Sequence, residues 1–198
     1  MAMNVLVAKF GGQSMCNVLR GLMPCAVLTS AMLPVPGLAD EVTSVDAEQA
    51  YEYVQAEDAF LLDVRTRAEL QFVGAPDPMD MHVPFMRMAT PFEWDSDASI
   101  WRMEPNESFV ADVDAALDAA GATTSDRVVV ICRSGSRSLE AAKQLQEADY
   151  TDVIHVDDGF EGDRDASGYR RMNGWLNAGL PILDALPADR VYREKDRN

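Results

Sequence analysis

A chain of 198 residues with 47% apolar content can bury one core and carry an appendage, and no second copy of the motif around Cys132 appears that would mark a tandem pair. Its 33 Asp and Glu against 17 Lys and Arg give a formal charge of −16, which excludes nucleic acid and anionic membranes as natural binding surfaces. With only His82 and His155 available, nothing resembles a zinc site, and neither a metal nor another cofactor is called for.

The first 39 residues contain Lys9 and Arg20 but no Asp or Glu, so they belong to a different compositional regime. Gly21 to Leu33 is an apolar run of signal-peptide length, too short to cross a bilayer as a helix, and Pro34 and Pro36 break it. Gly37-Leu38-Ala39 offers small residues where a signal peptidase reads, predicting cleavage before Asp40 and a periplasmic destination. Met15 is an alternative start, because the stretch from Met15 to Ala39 has ordinary signal-peptide length. A buried N-terminal helix is disfavoured by Pro24 inside the run. Leu22-Met23-Pro24 lacks the small residues expected before a lipidated Cys25. Cleavage removes Cys16 and Cys25, leaving Cys132 without a disulfide or resolving partner. It also removes two cations against the same 33 acids, taking the charge from −16 to −18. No membrane contact is expected of the mature chain. The charge suits a basic protein partner, such as a positively charged electron carrier, and is equally explained as a solubilising surface.

Residues 40–198 then read as one domain with a short charged tail. Asp46 and Gln49 form a capping box, and Ala47, Ala50, Tyr51 and Val54 fall on one helical face behind it. Phe60 to Val64 is a short apolar strand followed by a second capping box, Thr66 with Glu69, which places Asp63 and Arg65 at the strand's carboxyl end. A supporting role for Asp63 and Arg65, holding loops by charge-assisted hydrogen bonds, is favoured over a catalytic one. A Pro-rich loop over 74–80 leads to a strand predicted from Met81 to Phe85, with His82 a core or edge histidine, as His155 is on a later strand.

Residues 86–106 hold Phe92, Trp94 and Trp101 without clear periodicity, and read as a long aromatic loop. Two readings remain open: a wall of the site entrance, or core packing remote from it. Phe109, Val110, Val113, Leu117 and Ala120 restore the helical period, and Gly121 ends it. After the Cys132 region, Val153 to Val156 supplies another strand. Alternating strands and helices predict an α/β fold, a mainly parallel sheet with helices on both faces. Asp163 to Gly168 mimics the start of an EF-hand loop, but its twelfth position falls on Gly174, so a solvated acidic turn is preferred to calcium. The tail from Ala188 is expected to fray.

The chemistry concentrates in RVVVICRSGSRS, Arg127 to Ser138. A β-branched strand, Val128 to Ile131, runs into Cys132 and a polar loop. Leu139, Ala142, Leu145 and Ala148 then mark a helix whose N-terminus points back at the loop. A helix N-terminus and flanking Arg133 and Arg137 favour thiolate, which in such surroundings lowers a cysteine pKa from ~8.5 to between ~3.5 and ~7.5. A structural cysteine is the bland alternative, and it leaves the two arginines without a purpose.

CRSGSRS after a Val/Ile strand resembles the active-site loop of the rhodanese (sulfurtransferase) family. LLDVRTRAEL, Leu61 to Leu70, resembles that family's Asp-x-Arg strand end, and Asp158-Gly159-Phe160 with Gly174-Trp175 to Gly179-Leu180-Pro181 its closing segment. The likeness spans about residues 42 to 185. Two departures stand out: Gly74-Ala75-Pro76-Asp77-Pro78 replaces the usual Gly-His-Ile-Pro-Gly-Ala, and residues 161–173 form an extra stretch before Trp175.

The resemblance implies a rhodanese-like fold and sulfur transfer through a Cys132 persulfide. The donor would be thiosulfate or a similar small anion, and the acceptor a thiol, cyanide or a protein. Arg133, Ser134, Gly135, Ser136, Arg137 and Ser138 would form the substrate-binding loop, through backbone N–H groups, hydroxyls and the two guanidinium groups, with Arg137 alternatively bracing the loop. A non-enzymatic persulfide carrier or interaction module of an exported redox system is the second reading. A cysteine phosphatase or arsenate reductase is the third, weakened because such loops carry their arginine where this chain has Ser138, one residue beyond Arg137. N-terminal sequencing of the exported protein is expected to start at Asp40; a start at Met1 or Met15 would overturn the leader assignment.

Overall fold

The computed structural model describes residues 41–56 and 59–193. The expected leader, its cleavage site and the end of the tail lie outside these residues.

Asp46 starts the first helix as its capping box predicts. Its side chain accepts the Gln49 N–H at 2.8 Å, and the Gln49 side chain accepts the Asp46 N–H at 3.3 Å. This helix, α1 (Ala47–Gln55), follows β1 (Thr43–Val45) and turns Ala47, Ala50 and Val54 inward. The strand β2 (Phe60–Asp63) ends at the second capping box, which opens α2 (Arg67–Val73). β3 (Met81–His82), α3 (Phe109–Ala120), β8 (Val128–Ile131), α4 (Ser136–Glu147) and β9 (Val153–Val156) complete the α/β frame, with four further short strands, β4 to β7, between β3 and α3. Gly121 closes α3 at φ 77°, a left-handed conformation that suits glycine.

The strands order as β1-β9-β8-β2-β3, all parallel, so the sheet is the predicted one. The four residues of β8 are all buried because helices cover both faces. Alternation assigns the faces. Val128 and Val130 pack with Phe109, Val113 and Leu117 of α3 and with Ala141, Ala142 and Leu145 of α4. Val129 and Ile131 pack with α1 and with Phe160 and Trp175. Each such side chain contributes roughly 1.5–3 kcal/mol by leaving water. The same parity carries Cys132 to the α3/α4 side, beneath the start of α4.

Three expectations are corrected. The strand predicted from Met81 to Phe85 is only Met81–His82. Val83 and Phe85 still donate to Asp63 and Val64 carbonyls, but Pro84 has no N–H to continue a ladder, and the chain peels away there. Residues 86–106 are not an irregular loop but an arm of two antiparallel ribbons, β4 (Met86–Met88) with β7 (Met103–Pro105) and β5 (Trp94–Asp95) with β6 (Ile100–Trp101). Strands of two or three residues are too short to show alternation. Core packing of the arm is excluded, since Phe92, Trp94 and Trp101 are 72%, 53% and 51% exposed. The tail pairs instead of fraying as far as Tyr192: His82 donates to the Arg190 carbonyl, and Val191 bridges His82. An open edge strand provides that partner.

His82 is held by both ring nitrogens, Nε2 donating to the Arg65 carbonyl at 2.8 Å and Nδ1 accepting the Tyr192 N–H at 3.2 Å. Burial pushes its pKa down, against the opposing pull of Asp63. His155 lies buried on β9, as expected of a core or edge histidine.

Trp175 has no exposed surface, whereas Trp94 and Trp101 stack edge-on with each other 5.4 Å apart on the arm. Trp175→Ala should therefore cost ~3 to 5 kcal/mol, while Trp94→Ala should cost less than ~1 kcal/mol, read from the shift in urea unfolding midpoints. A comparable loss in both variants would contradict the assignment of Trp94 to an exposed arm.

Candidate active site

The site begins where β8 ends. Cys132 is followed by Arg133, Ser134 and Gly135, and α4 starts at Ser136, so strand, loop and helix succeed one another as predicted. The loop is set by close backbone contact with the segment after β9. Phe160 donates to the Cys132 carbonyl at 2.8 Å and Glu161 to the Arg133 carbonyl at 2.9 Å. Gly135 sits at φ 84°, and a Cβ there would lie 1.9 Å from the Asp157 carbonyl oxygen, so only glycine fits.

None of the N–H groups from Arg133 to Ser138 donates to an acceptor among the described residues. Six consecutive N–H groups after Cys132, three of them in the first turn of a twelve-residue helix, thus have no acceptor among the described residues. Cys132 itself has no exposed surface.

The side chains of the predicted substrate loop divide. Arg133 and Ser136 are exposed and Ser134 is half-buried. Ser138 is buried, and its hydroxyl is shared between the Gly135 and Val156 carbonyls at 2.8 and 3.1 Å, which fastens α4 to the loop and to β9. Arg137 makes a bidentate ion pair with Glu69, Nη1 to Oε2 at 2.9 Å and Nη2 to Oε1 at 2.6 Å. Its guanidinium thus ties the first turn of α4 to α2.

Glu69 is the residue that sequence reasoning placed only as a cap. One carboxylate accepts from the Thr66 N–H at 2.9 Å, from the Thr66 hydroxyl at 2.8 Å and from both Arg137 nitrogens. Burial alone would raise its pKa, but Arg137 and Thr66 outweigh that and hold it at about 2. Arg137 is raised in turn, burial being overcome by Glu69 and by the nearby Cys132. The capping-box spacing directly after a site-bearing strand end was the signal available for Glu69.

Asp63 and Arg65 pair with each other. Arg65 Nη2 meets Asp63 Oδ2 at 2.6 Å and the Gly74 carbonyl at 2.9 Å, both side chains are wholly buried, and the guanidinium lies 3.9 Å over the Phe160 ring. The pair thereby ties β2 to the start of the closing segment. A cleft lined by Thr66, Arg67, Met86, Arg87, Phe92 and Glu104 separates α2 from the root of the arm, so the arm rises from the sheet edge that carries Cys132. In the 161–173 stretch, Asp165 accepts the Ser167 and Tyr169 N–H groups at 2.8 and 2.9 Å, which uses that carboxylate in a turn.

A five-stranded parallel sheet with a cysteine at a strand end and an N–H-lined loop before a helix defines the class. The rhodanese-like domain family model matches residues 46–166, and the chain belongs to that family, which is sulfurtransferase-like. It is 32% identical over 122 residues to thiosulfate sulfurtransferase 18 of Arabidopsis thaliana, covering 62% of this chain and 78% of that one. An uncharacterized protein of Rickettsia conorii is 29% identical over 133 residues, 67% of this chain and 94% of that protein. The crystal structure of Rv0390 from M. tuberculosis is similar with a TM-score of 0.55 at 33% identity, covering 73% of this chain and 98% of that one.

Glu69→Gln removes a carboxylate whose pKa falls from 4.5 to about 2 on folding, so its contribution is complete above pH 4.5 and disappears as pH falls through 2. The variant should be less stable than the parent by about 3 kcal/mol at pH 7, with the gap narrowing toward pH 2 in urea titrations. A gap independent of pH would mean that the Glu69 charge does not hold Arg137.

Proposed function

We propose that this protein moves a sulfane sulfur through a persulfide on Cys132. The observation that carries the reading is the run of unpaired N–H groups from Arg133 to Ser138 around the cysteine at the end of β8. Such a cradle stabilises negative charge on a sulfur held at its centre. The Cys132 thiolate attacks the outer sulfur of thiosulfate; a Cys–S bond forms, the donor S–S bond breaks, and sulfite leaves with its electron pair. The persulfide keeps one negative charge. In the second half-reaction a thiolate or cyanide attacks the outer sulfur, forms the new bond to it and restores the Cys132 thiolate.

Arg133 stands exposed at the loop, where it meets the anionic donor, and Arg137 keeps the loop in register through Glu69. The thiosulfate sulfurtransferase relative supports thiosulfate as a donor. The complete burial of Cys132 favours a second reading, a persulfide carrier that exchanges sulfur only with a dedicated partner. Turnover with thiosulfate and cyanide separates the two: an enzyme cycles, whereas a carrier takes up one sulfur and stops.

Cys132→Ser should abolish transfer and the sulfur adduct seen by mass spectrometry, with the circular dichroism spectrum and unfolding midpoint kept close to the parent's, because Ser preserves volume but is a far weaker nucleophile. Turnover surviving in that variant sinks the mechanism.

A further inference from the structure

The arm at 86–106 carries large apolar side chains that the fold leaves uncovered. Phe92, Trp94, Ile100 and Trp101 are each more than half exposed. Trp94 lies opposite Trp101 in the β5–β6 ribbon, a register that sets both rings on one face and Asp95 with Ile100 on the other. The two indole rings meet edge-on with centroids 5.4 Å apart, and Phe92 joins them 6.3 Å from Trp101. Three aromatics thus form one contiguous exposed patch, the composition of an interface core.

Charge decides what such a patch can meet. Along Phe92-Glu93-Trp94-Asp95 acids alternate with aromatics, so the carboxylates border the patch and do not interrupt it. Residues 92–101 carry Glu93, Asp95 and Asp97 and no cation. Arg102 pairs with Glu93 at 3.0 Å, which leaves Asp95 and Asp97 without an ion pair among the described residues. A second copy of this chain would bring the same acidic border and a like charge of −16, and an anionic membrane would be repelled in the same way. The complement is a surface with an apolar centre and cations at its rim.

Position places the patch beside the chemistry. The root of the arm walls a cleft that Thr66 lines as well. The Thr66 hydroxyl donates to Glu69 at 2.8 Å, and Glu69 holds Arg137 in the first turn of α4, so the arm stands on the same sheet edge as the Cys132 loop.

We propose that the 86–106 arm is the docking surface for a basic protein partner, one that presents an apolar patch rimmed by Lys and Arg to Phe92, Trp94 and Trp101. The aromatic cluster supplies most of the binding energy, while Asp95 and Asp97 steer the partner and turn acidic proteins away. This interaction goes beyond sulfur transfer and does not depend on it.

The test follows the fluorescence anisotropy of a dye-labelled amphipathic peptide, Leu along one face and Lys at its borders, titrated with the full chain beside a twin peptide that has Glu in place of Lys. The Lys peptide should bind at least about tenfold more tightly than its twin. Trp94→Ala and Trp101→Ala should each weaken it about tenfold, as removal of a central aromatic does. Asp97→Asn and added salt should each weaken it about twofold, whereas Glu147→Gln, the same loss of charge at an exposed position on α4, should leave it unchanged. If either tryptophan variant does not fold, Phe92→Ala takes its place. Failure of the parent to bind either peptide, equal affinity for the two, or an arm variant that binds as the parent does overturns the proposal. A parent that is dimeric by light scattering and becomes monomeric in Trp94→Ala overturns it as well, because a second copy then occupies the arm. Sedimentation with phosphatidylcholine vesicles that is lost in Trp94→Ala does the same in favour of a membrane.

Discussion

The position of the Cys132 sulfur depends on how closely two stretches of backbone approach each other. Gly135 lies against the Asp157 carbonyl, and a Cβ on Gly159 would come within 2.6 Å of the Ser134 nitrogen and 2.7 Å of the Cys132 carbonyl oxygen. Only residues without a Cβ permit that approach, and both adopt positive φ, 84° and 65°, where glycine carries no steric cost. The hydrogen bonds from Phe160 and Glu161 then lock the two stretches together. A loop fixed by main chain holds its N–H groups in place whatever the surface side chains do, and this preorganisation is what an anion cradle requires.

Around this fixed loop the charges are arranged against the trend of the whole chain. The molecule is acidic at −16, yet the cysteine precedes the positive end of α4, with Arg133 next to it in the chain and Arg137 close enough to feel its charge. Glu69 neutralises only one of these cations. Its ion pair with Arg137 joins α2 to α4, so the helix after β2 and the helix after β8 are coupled through the site. The buried Asp63–Arg65 pair does the corresponding work one layer down, where any unpaired charge would be costly.

Much of this was legible in the residues because it is local. Capping boxes at Asp46 and Thr66, the β-branched run of β8 and the helical period of α3 each report a short-range preference, and each element formed where its pattern lay. Parity along β8 even determines which face receives Cys132. What escaped depends on long-range partners. Glu69 to Arg137 spans 68 positions, the tail at Arg190 meets His82 across the fold, and Trp94 pairs with Trp101 in strands of two residues. A capping-box glutamate looks the same whether or not a guanidinium arrives from elsewhere. The arm's aromatics left core packing and a wall of the site entrance both open, and core packing fails because three of them cluster among themselves on an exposed ribbon.

The burial of Cys132 limits what can reach its thiol. Because the loop backbone is wedged between glycines and hydrogen-bonded carbonyls, widening it would break the contacts that place the N–H groups. Freedom lies instead in the exposed Arg133 and the half-buried Ser134 side chains above it. A slender reagent needs only these to move, whereas a bulky electrophile needs the backbone to yield. Reactivity should thus be graded by the width of the group approaching the sulfur more than by its intrinsic electrophilicity.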